Sequence, residues 1–371
     1  MKIGFPRALY YFDYFPFWSG FFHSLDIELV ISPPTHREIM NQGLKKASDE
    51  TCLPLKILAG HIQALEDVDY IFLPRMVSVE ADTYTCPKFL GIPESVLPAV
   101  PEGQSVLTVT LNWRNSKRQV LKDLEVLTEQ LGKSKAEIRQ AFNKGMEWQK
   151  KYQNSMGAEW DFEDSLNKIE SASWDSTESS KSSAPLTWKE RMISIIPLTS
   201  DKAEKQNLPV GEKSDRLRIA LVGHSYLTHE SYANLNLLRK LHEKVDVELV
   251  QNVRQEDIEG HLSGLRKKIF WSHSKQIFGA GNKYAQDQRV DGIIYLTCFG
   301  CGTDSIIQEL VSRKAREKHK PYMLITLDEH SGEAGLVTRL EAFLDMVERR
   351  RGHEGYVSTY GECLDSDSNA L

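Results

Sequence analysis

The chain has 371 residues, a net charge of −6, 40% hydrophobic residues and 26% charged residues. These values are typical of a soluble globular protein of two or three domains, and the negative charge argues against general nucleic-acid binding. No apolar stretch approaches the ~18 residues of a membrane span, and the chain start lacks a signal-peptide pattern. We therefore expect a cytoplasmic protein without membrane contact, in which disulfides are rare.

The first part of the chain, residues 1–115, alternates strand-like and helix-like patterns and predicts an N-terminal α/β domain. Strands are predicted at 2–5, 27–31, 70–73 and 106–111. Helices are predicted at 12–24, from Thr35 onward and at 53–65. Thr35 and Glu38 have the spacing of a capping box, and Pro54 is typical of a first helical turn. The aromatic-rich stretch at 12–24 indicates core.

In the middle of the chain, the alternation of strand and helix patterns stops. Residues 116–152 have an apolar period that predicts a helical segment. Residues 153–215 read as a linker or insertion, because seven of the thirteen residues from 171 to 183 are serine. A short helix is predicted near 188–195 within it.

The α/β pattern resumes at 216–352 and predicts a C-terminal α/β domain, followed by a mobile tail at 353–371. Strands are predicted at 217–222, 245–250, 292–296 and 322–326. Helices are predicted at 232–241, 256–265, 275–286, 304–318 and 333–347. We expect two Rossmann-like domains, each with a parallel sheet, facing a shared cleft with the helical and serine-rich insertion between them.

Four of the five cysteines occupy positions where a metal centre can be assembled. Cys86 and Cys298 follow predicted strands, Cys52 precedes a helix, and Cys301 completes a Cys-x-x-Cys pair. Thiolates select zinc, copper(I) or iron–sulfur clusters, and structural zinc usually brings two close-spaced pairs, which this chain lacks. Cys363 lies in the polar tail and is not expected to be a ligand.

Other interpretations of the cysteines stay open at this point. Cys298 and Cys301 lie between a strand and a helix, which also suits a redox dithiol. That interpretation leaves Cys52 and Cys86 unexplained, although each alone is compatible with a buried small hydrophobe.

Polar residues at the same predicted strand ends are further cleft candidates. Arg7 and Arg75 each follow a strand and a proline and are candidates to hold an anion, with surface solvation as the alternative. His224 follows the first strand of the second half; Glu329, His330 and Glu333 follow the last one, where helix capping is the alternative. No glycine-rich phosphate loop is present, so nucleotide binding is not expected.

Seven segments together resemble the uncharacterised relatives of 2-hydroxyacyl-CoA dehydratase subunits, also described as CoA-substrate-specific enzyme activase-related proteins. They are 3–9 (IGFPRAL), 32–35 (SPPT), 49–56 (DETCLPLK), 72–75 (FLPR), 86–89 (CPKF), 298–305 (CFGCGTDS) and 327–335 (LDEHSGEAG). The resemblance covers residues 1–110 and 215–350 and omits the serine-rich middle.

The resemblance implies a 4Fe–4S cluster in an interdomain cleft, with Cys52, Cys86, Cys298 and Cys301 as the available ligands. Lys56, Lys88 and Asp304 belong to the same segments and join the cleft candidates. The resemblance also implies partnership with an ATP-dependent activase or dehydratase subunit, and low-potential electron transfer or reductive, anaerobic acyl-CoA chemistry. Four thiolates would close the site, whereas three would leave one iron open to substrate.

Two alternatives remain beside this function. The first is a non-catalytic scaffold or regulatory partner of an activase or dehydratase. The second is a thiol oxidoreductase that uses Cys298 and Cys301. Whether it is itself an enzyme stays open from the sequence, and no catalytic residue is assigned.

Overall fold

The computed structural model describes residues 1–155, 216–263 and 265–352 and two short strands, Tyr356–Val357 and Cys363–Leu364. The predictions for 156–215, including the helix near 188–195, lie outside the described residues. In the predicted tail, the two short strands pair antiparallel and the other residues from 353 onward are likewise outside the described part.

Strands and helices alternate in both described parts of the chain. The first part contains β1 (Lys2–Phe5), α1 (Tyr11–His23), β2 (Glu28–Ile31), α2 (Arg37–Lys46), α3 (Leu53–Gln63), β3 (Tyr70–Phe72), β4 (Arg75–Ser78), α4 (Pro87–Leu90), α5 (Ile92–Ser95), β5 (Ser105–Leu107), β6 (Thr110–Asn112), α6 (Lys117–Leu124), α7 (Leu127–Leu131) and α8 (Lys135–Ser155). The second part contains β7 (Arg218–Gly223), α9 (Ser225–Thr228), α10 (Leu237–Lys244), β8 (Asp246–Leu249), α11 (Gln255–Gly260), α12 (Ser272–Gln286), β9 (Gly292–Cys298), α13 (Asp304–Glu317), β10 (Tyr322–Leu327), α14 (Glu333–Gly352), β11 (Tyr356–Val357) and β12 (Cys363–Leu364).

Two four-stranded parallel sheets form the frame, which confirms the predicted α/β class. The first has the order β2-β1-β3-β5, and Ile3 of β1 pairs with Leu29 on one side and Tyr70 on the other. The second has the order β10-β9-β7-β8, all parallel. In each sheet, the first strand in the chain therefore lies between the second and the third. The strand order changes direction at this first strand, and open α/β sheets bind ligands beside such a switch point.

The aromatic helix α1 is core, as predicted. Twelve residues of α1, from Tyr11 to Phe22, are buried. Trp18 packs edge-on against Phe72 of β3, with ring centroids 4.5 Å apart. On the opposite side α8 lies close against α1, because a Cβ on Gly145 would come within 2.6 Å of the Phe17 carbonyl oxygen. The predicted helical segment therefore covers the first sheet through α1.

The predicted strand at 106–111 was wrong as a single element. β5 ends at Leu107, and β6 begins at Thr110 and pairs with β4 in a separate two-stranded parallel sheet. The Thr108 hydroxyl donates to the Leu73 carbonyl at 2.9 Å where the chain crosses between them. The short β4 follows Pro74 directly, and a proline is a poor predictor of a new strand.

The predicted helix at 232–241 begins later, at Leu237. Leu235 and Asn236 have positive φ values of 56° and 58°, a left-handed backbone that no α-helix accommodates. The Asn234 side chain then accepts from the Leu237 N–H at 3.1 Å and stabilises the new start.

One buried apolar cluster runs through both halves of the described chain. It includes Ile3 of the first sheet and Leu221, Ile294 and Leu296 of the second. The two halves of the described chain thus share one hydrophobic core. Among the described residues, no helix is both long and apolar enough to cross a bilayer.

Candidate metal centre

Cys298 and Cys301 lie on a tight turn at the end of β9. Cys298 is the last residue of this fully buried strand, and the Cys301 N–H donates to the Cys298 carbonyl at 3.2 Å. Gly300 between them has φ +80°, which a side chain would strain. A Cβ at Gly300 would lie 3.7 Å from the Cα of Cys52, so the turn is in ordinary contact with that residue.

Cys52 reaches the turn from the first half of the chain. It is the N-cap residue of α3, and Pro54 follows in the first helical turn, as predicted. Its thiol is within hydrogen-bonding reach of Cys298. The positive end of α3 therefore points at the thiols, which favours negative charge there.

Cys86 completes the group from a second loop of the first half. It is the N-cap residue of α4, and the Phe89 N–H donates to its carbonyl at 2.9 Å. Its thiol lies close enough to Cys301 and Cys52 for their charges to act on it. The structure thus brings together all four cysteines singled out from the sequence, and all four are free thiols.

The four thiols have unequal proton affinities because of how they contact one another. A hydrogen bond from Cys298 is the main reason that the pKa of Cys301 falls to about 5, with His224 adding to it against the effect of burial. The hydrogen bond with Cys298 likewise lowers the pKa of Cys52. Hydrogen bonds to Cys301 and Cys52, followed by burial, raise the pKa of Cys298, and burial raises that of Cys86. The group therefore favours thiolates at Cys301 and Cys52.

This order predicts alkylation rates in metal-free protein. At about pH 6, iodoacetamide is expected to modify Cys301 at least several-fold faster than Cys86 or Cys298, because only thiolates react. Mass spectrometry of timed digests measures the order. Cys298→Ala should remove much of the advantage of Cys301 by deleting the hydrogen-bond donor, and equal rates at Cys301 and Cys86 in the unmutated protein would contradict the assignment.

A buried ion pair borders the thiols on the side of the second sheet. His224 Nε2 lies 3.1 Å from Asp304 Oδ1. Asp304 also accepts from Tyr295 at 3.1 Å and Thr297 at 2.8 Å. Burial alone would lower the pKa of His224 and raise that of Asp304, but their mutual contact raises the former and lowers the latter. One ligand-type atom from each of His224, Asp304 and Cys301 lies within 4.8 Å of the others.

Lys56 and Glu329 join the two halves beside the thiols. Lys56 Nζ lies 2.6 Å from Glu329 Oε1, and the lysine is only 4% exposed, one turn into α3 after Cys52. The hydrogen bond from Lys56 is the main reason that the pKa of Glu329 is lowered. This pair fixes α3 against the segment that follows β10.

The remaining cleft candidates have other contacts. Arg75 pairs with Glu94 and donates to the Leu90 carbonyl, so it braces the chain after Cys86. The Arg7 guanidinium lies 5.6 Å above the Tyr11 ring. Lys88 is exposed and slightly favours the Cys52 thiolate, His330 is exposed, and Glu333 pairs with Lys240 at 2.7 Å.

Sequence reasoning missed the partners of Asp304 and the role of Thr35. Tyr295 and Thr297 alternate along β9, and this period-2 spacing was the available signal that they share a face. The expected capping role of Thr35 was wrong, because α2 begins at Arg37 with His36 as its cap. Thr35 instead lies between His61 and Glu230.

Thr35 belongs to a buried hydrogen-bond chain between the two halves. The Arg7 N–H donates to Ser32 Oγ at 2.8 Å, and Ser32 Oγ lies 2.9 Å from His61 Nδ1. Thr35 Oγ1 lies 2.9 Å from His61 Nε2 and donates to Glu230 at 2.8 Å. Since Thr35 uses its proton on Glu230, His61 donates to it through Nε2. Ser32, which accepts from Arg7, keeps its own proton to donate to Nδ1 of a neutral His61 ring.

The neutral His61 ring predicts acid sensitivity. Burial, followed by the Arg7 and His36 charges, lowers the pKa of His61 from 6.5 to about 3. Below pH 6.5 His61 is protonated in the unfolded chain but stays neutral in the folded protein. The free energy of unfolding therefore decreases as the pH falls toward 3. We expect His61 to account for about 2 kcal/mol of lost unfolding free energy between pH 7 and 5.

Urea unfolding of His61→Gln at both pH values tests this. The variant should lose about 2 kcal/mol less on acidification than the unmutated protein, whereas the exposed His330→Gln should change little. An identical acid response in His61→Gln would refute the neutral ring.

Two family models match the chain. The model described as CoA enzyme activase uncharacterised domain matches residues 2–251, and the model described as 2-hydroxyglutaryl-CoA dehydratase, D-component, matches residues 179–347. The first match contains Cys52 and Cys86, and the second contains Cys298 and Cys301. Among curated proteins, none matches this chain.

Proposed function

This chain belongs to the CoA enzyme activase uncharacterised-domain family, and from that premise we propose that it holds a 4Fe–4S cluster on Cys52, Cys86, Cys298 and Cys301. The observation that carries the proposal is the contact of Cys52 with the Cys298–Cys301 turn, which joins ligands from both ends of the chain. We propose that the protein takes part in low-potential electron transfer or reductive acyl-CoA chemistry, in the cytoplasm.

The donor set fits such a cluster. All four candidate ligands are free thiols, the softest donors among protein side chains. Iron–sulfur clusters are held by cysteine thiolates, and two of these thiols already have lowered pKa values. Gly300 and Gly302 keep side chains away from the turn, and nothing lies within 4 Å of a Cβ at Gly302.

When bound, the cluster would supply one-electron chemistry at low potential. The protein's own residues would hold and tune it. His224, held in place by its contact with Asp304, favours the Cys301 thiolate. The Lys56–Glu329 pair keeps α3, and with it Cys52, in register with the opposite sheet.

The acyl-CoA and partner assignments rest on the matched families. The D-component model supports chemistry on an acyl-CoA, and the activase-domain model supports partnership with an ATP-dependent activase or a dehydratase subunit. A purely scaffolding role predicts that an activase is retained on the immobilised protein without turnover of any acyl-CoA.

A thiol oxidoreductase is the second candidate, and one observation favours it. In Cys298-Phe299-Gly300-Cys301, one thiol has a pKa near 5 and the other a raised pKa, and they share a hydrogen bond. That asymmetry is the pattern of an attacking and a resolving thiol.

Metal content separates the two candidates. Protein purified without oxygen should contain about four iron and four sulfide per chain, with a brown absorbance that bleaches on reduction. A colourless protein with one zinc per chain would refute the cluster. Metal-free protein whose thiol–disulfide exchange survives Cys52→Ser and Cys86→Ser would favour the oxidoreductase.

A further inference from the structure

A second group of buried polar side chains lies behind the thiols, where α1, α9 and α12 begin. Asp13 on α1 is 4% exposed and His273 on α12 is 5% exposed. Ser225 on α9 and Ser274 on α12 are each 1% exposed. None of these four residues has a role in holding the proposed centre.

These side chains are not satisfied by the surrounding protein. Both carboxylate oxygens of Asp13, Nε2 of His273 and the hydroxyl oxygens of Ser225 and Ser274 have no hydrogen-bond partner in the described part of the chain. Asp13 Oδ2 lies 3.6 Å from His273 Nε2, close enough for an ion pair but long for a hydrogen bond. A buried carboxylate in this state is costly to keep, so the group calls for an explanation other than packing.

The Asp13–His273 pair is close to the cysteine site without touching it. The His273 ring centroid lies 6.0 Å from that of His224, which contacts Cys301 through its ring. It also lies 5.5 Å from the ring of Phe89, in the helix that Cys86 caps. The pair is therefore separated from the thiols by the buried rings of His224 and Phe89.

We propose that Asp13 and His273 form a redox-linked protonation site, an inference that rests on the proposed cluster. The pair takes up one proton from solvent for each electron that a low-potential one-electron donor delivers to the cysteine-held centre, and releases it on reoxidation. Charge balances, because one electron and one proton arrive together. The physical reason is that a negative charge added where the effective dielectric constant is about 20 is cheaper to accept with a compensating proton.

The charges that face the pair are few. On α1, burial and then the Asp13 charge raise the pKa of Tyr14, so the carboxylate is felt by its neighbour. Beyond Tyr14, Glu80 pairs with Lys275 on α12 at 2.9 Å. On the thiol side stand His224 and its partner Asp304, which already offset each other.

The first test measures the reduction potential of the reconstituted protein against pH. We expect the potential to fall by about 59 mV per pH unit over part of the range from about pH 5 to 8, the equivalent of one proton per electron. Asp13→Asn and His273→Gln should flatten that slope. His61→Gln removes another buried histidine, one with satisfied partners, and should leave the slope unchanged. Slopes equal in all four proteins would overturn the proposal.

The second test does not need the cluster and separates the two proposals. In cluster-free protein with labelled histidine, we expect the pH response of the His273 resonance to differ in Asp13→Asn, because that substitution removes the carboxylate 3.6 Å from Nε2. A His273 resonance that changes neither with pH nor in Asp13→Asn would overturn the proposed protonation site. Failure to bind iron with an intact His273 response would instead refute the proposed function alone.

Discussion

Serine at any one of Cys52, Cys86, Cys298 or Cys301 is expected to lower the iron and sulfide content of anaerobically reconstituted protein at least tenfold. A hydroxyl is a poor replacement for a thiolate, and the four thiols converge from three separate segments of the chain. Iron and sulfide assays, with the visible spectrum, measure the loss.

Cys363→Ser is the matched control, because it changes the one cysteine outside the group and should retain unmutated iron content. Cys301→Ser is the informative member of the series. A cluster that survives in this variant alone would mean three ligands and an iron open to substrate. Unchanged iron in Cys52→Ser would contradict the assembly across the two halves.

Gly60→Ala is expected to destabilise the protein by about 3 kcal/mol and to weaken iron loading with it. Gly60 lies in α3 where the backbone of α2 crosses it, and a Cβ there would collide with the Ile39 carbonyl oxygen. Gly43 on α2 meets the Lys56 carbonyl oxygen in the same way. Because α3 begins at Cys52, any separation of the two helices moves a ligand.

Urea unfolding and iron content of the same preparations check this prediction. Gly335→Ala is the matched control, since Gly335 is also helical but nothing lies within 4 Å of its Cβ. That substitution should be neutral or stabilising by up to about 1 kcal/mol. Equal stability of Gly60→Ala and Gly335→Ala would show that the helix crossing does not position Cys52.

Much of the fold was predictable because it depends on local pattern. The apolar runs at β1 and β9 and the proline after Cys52 specify a strand or a helix start from neighbouring residues alone. The predictions failed where contacts with residues distant in the chain overrode the local sequence pattern. Thr35 has the spacing of a helix cap, but its hydroxyl group forms hydrogen bonds with His61 and Glu230 instead.

By itself the sequence determined the α/β class, the strand end at Cys298 and the helix start after Cys52, because residue spacing and capping act over a few positions. The tertiary structure alone decided which side chains tune the cysteine site. His224 meets Asp304, and Asp13 meets His273, across 80 and about 260 positions of chain. Such contacts, and the unequal proton affinities of Cys298 and Cys301, arise from packing and burial that no local pattern encodes.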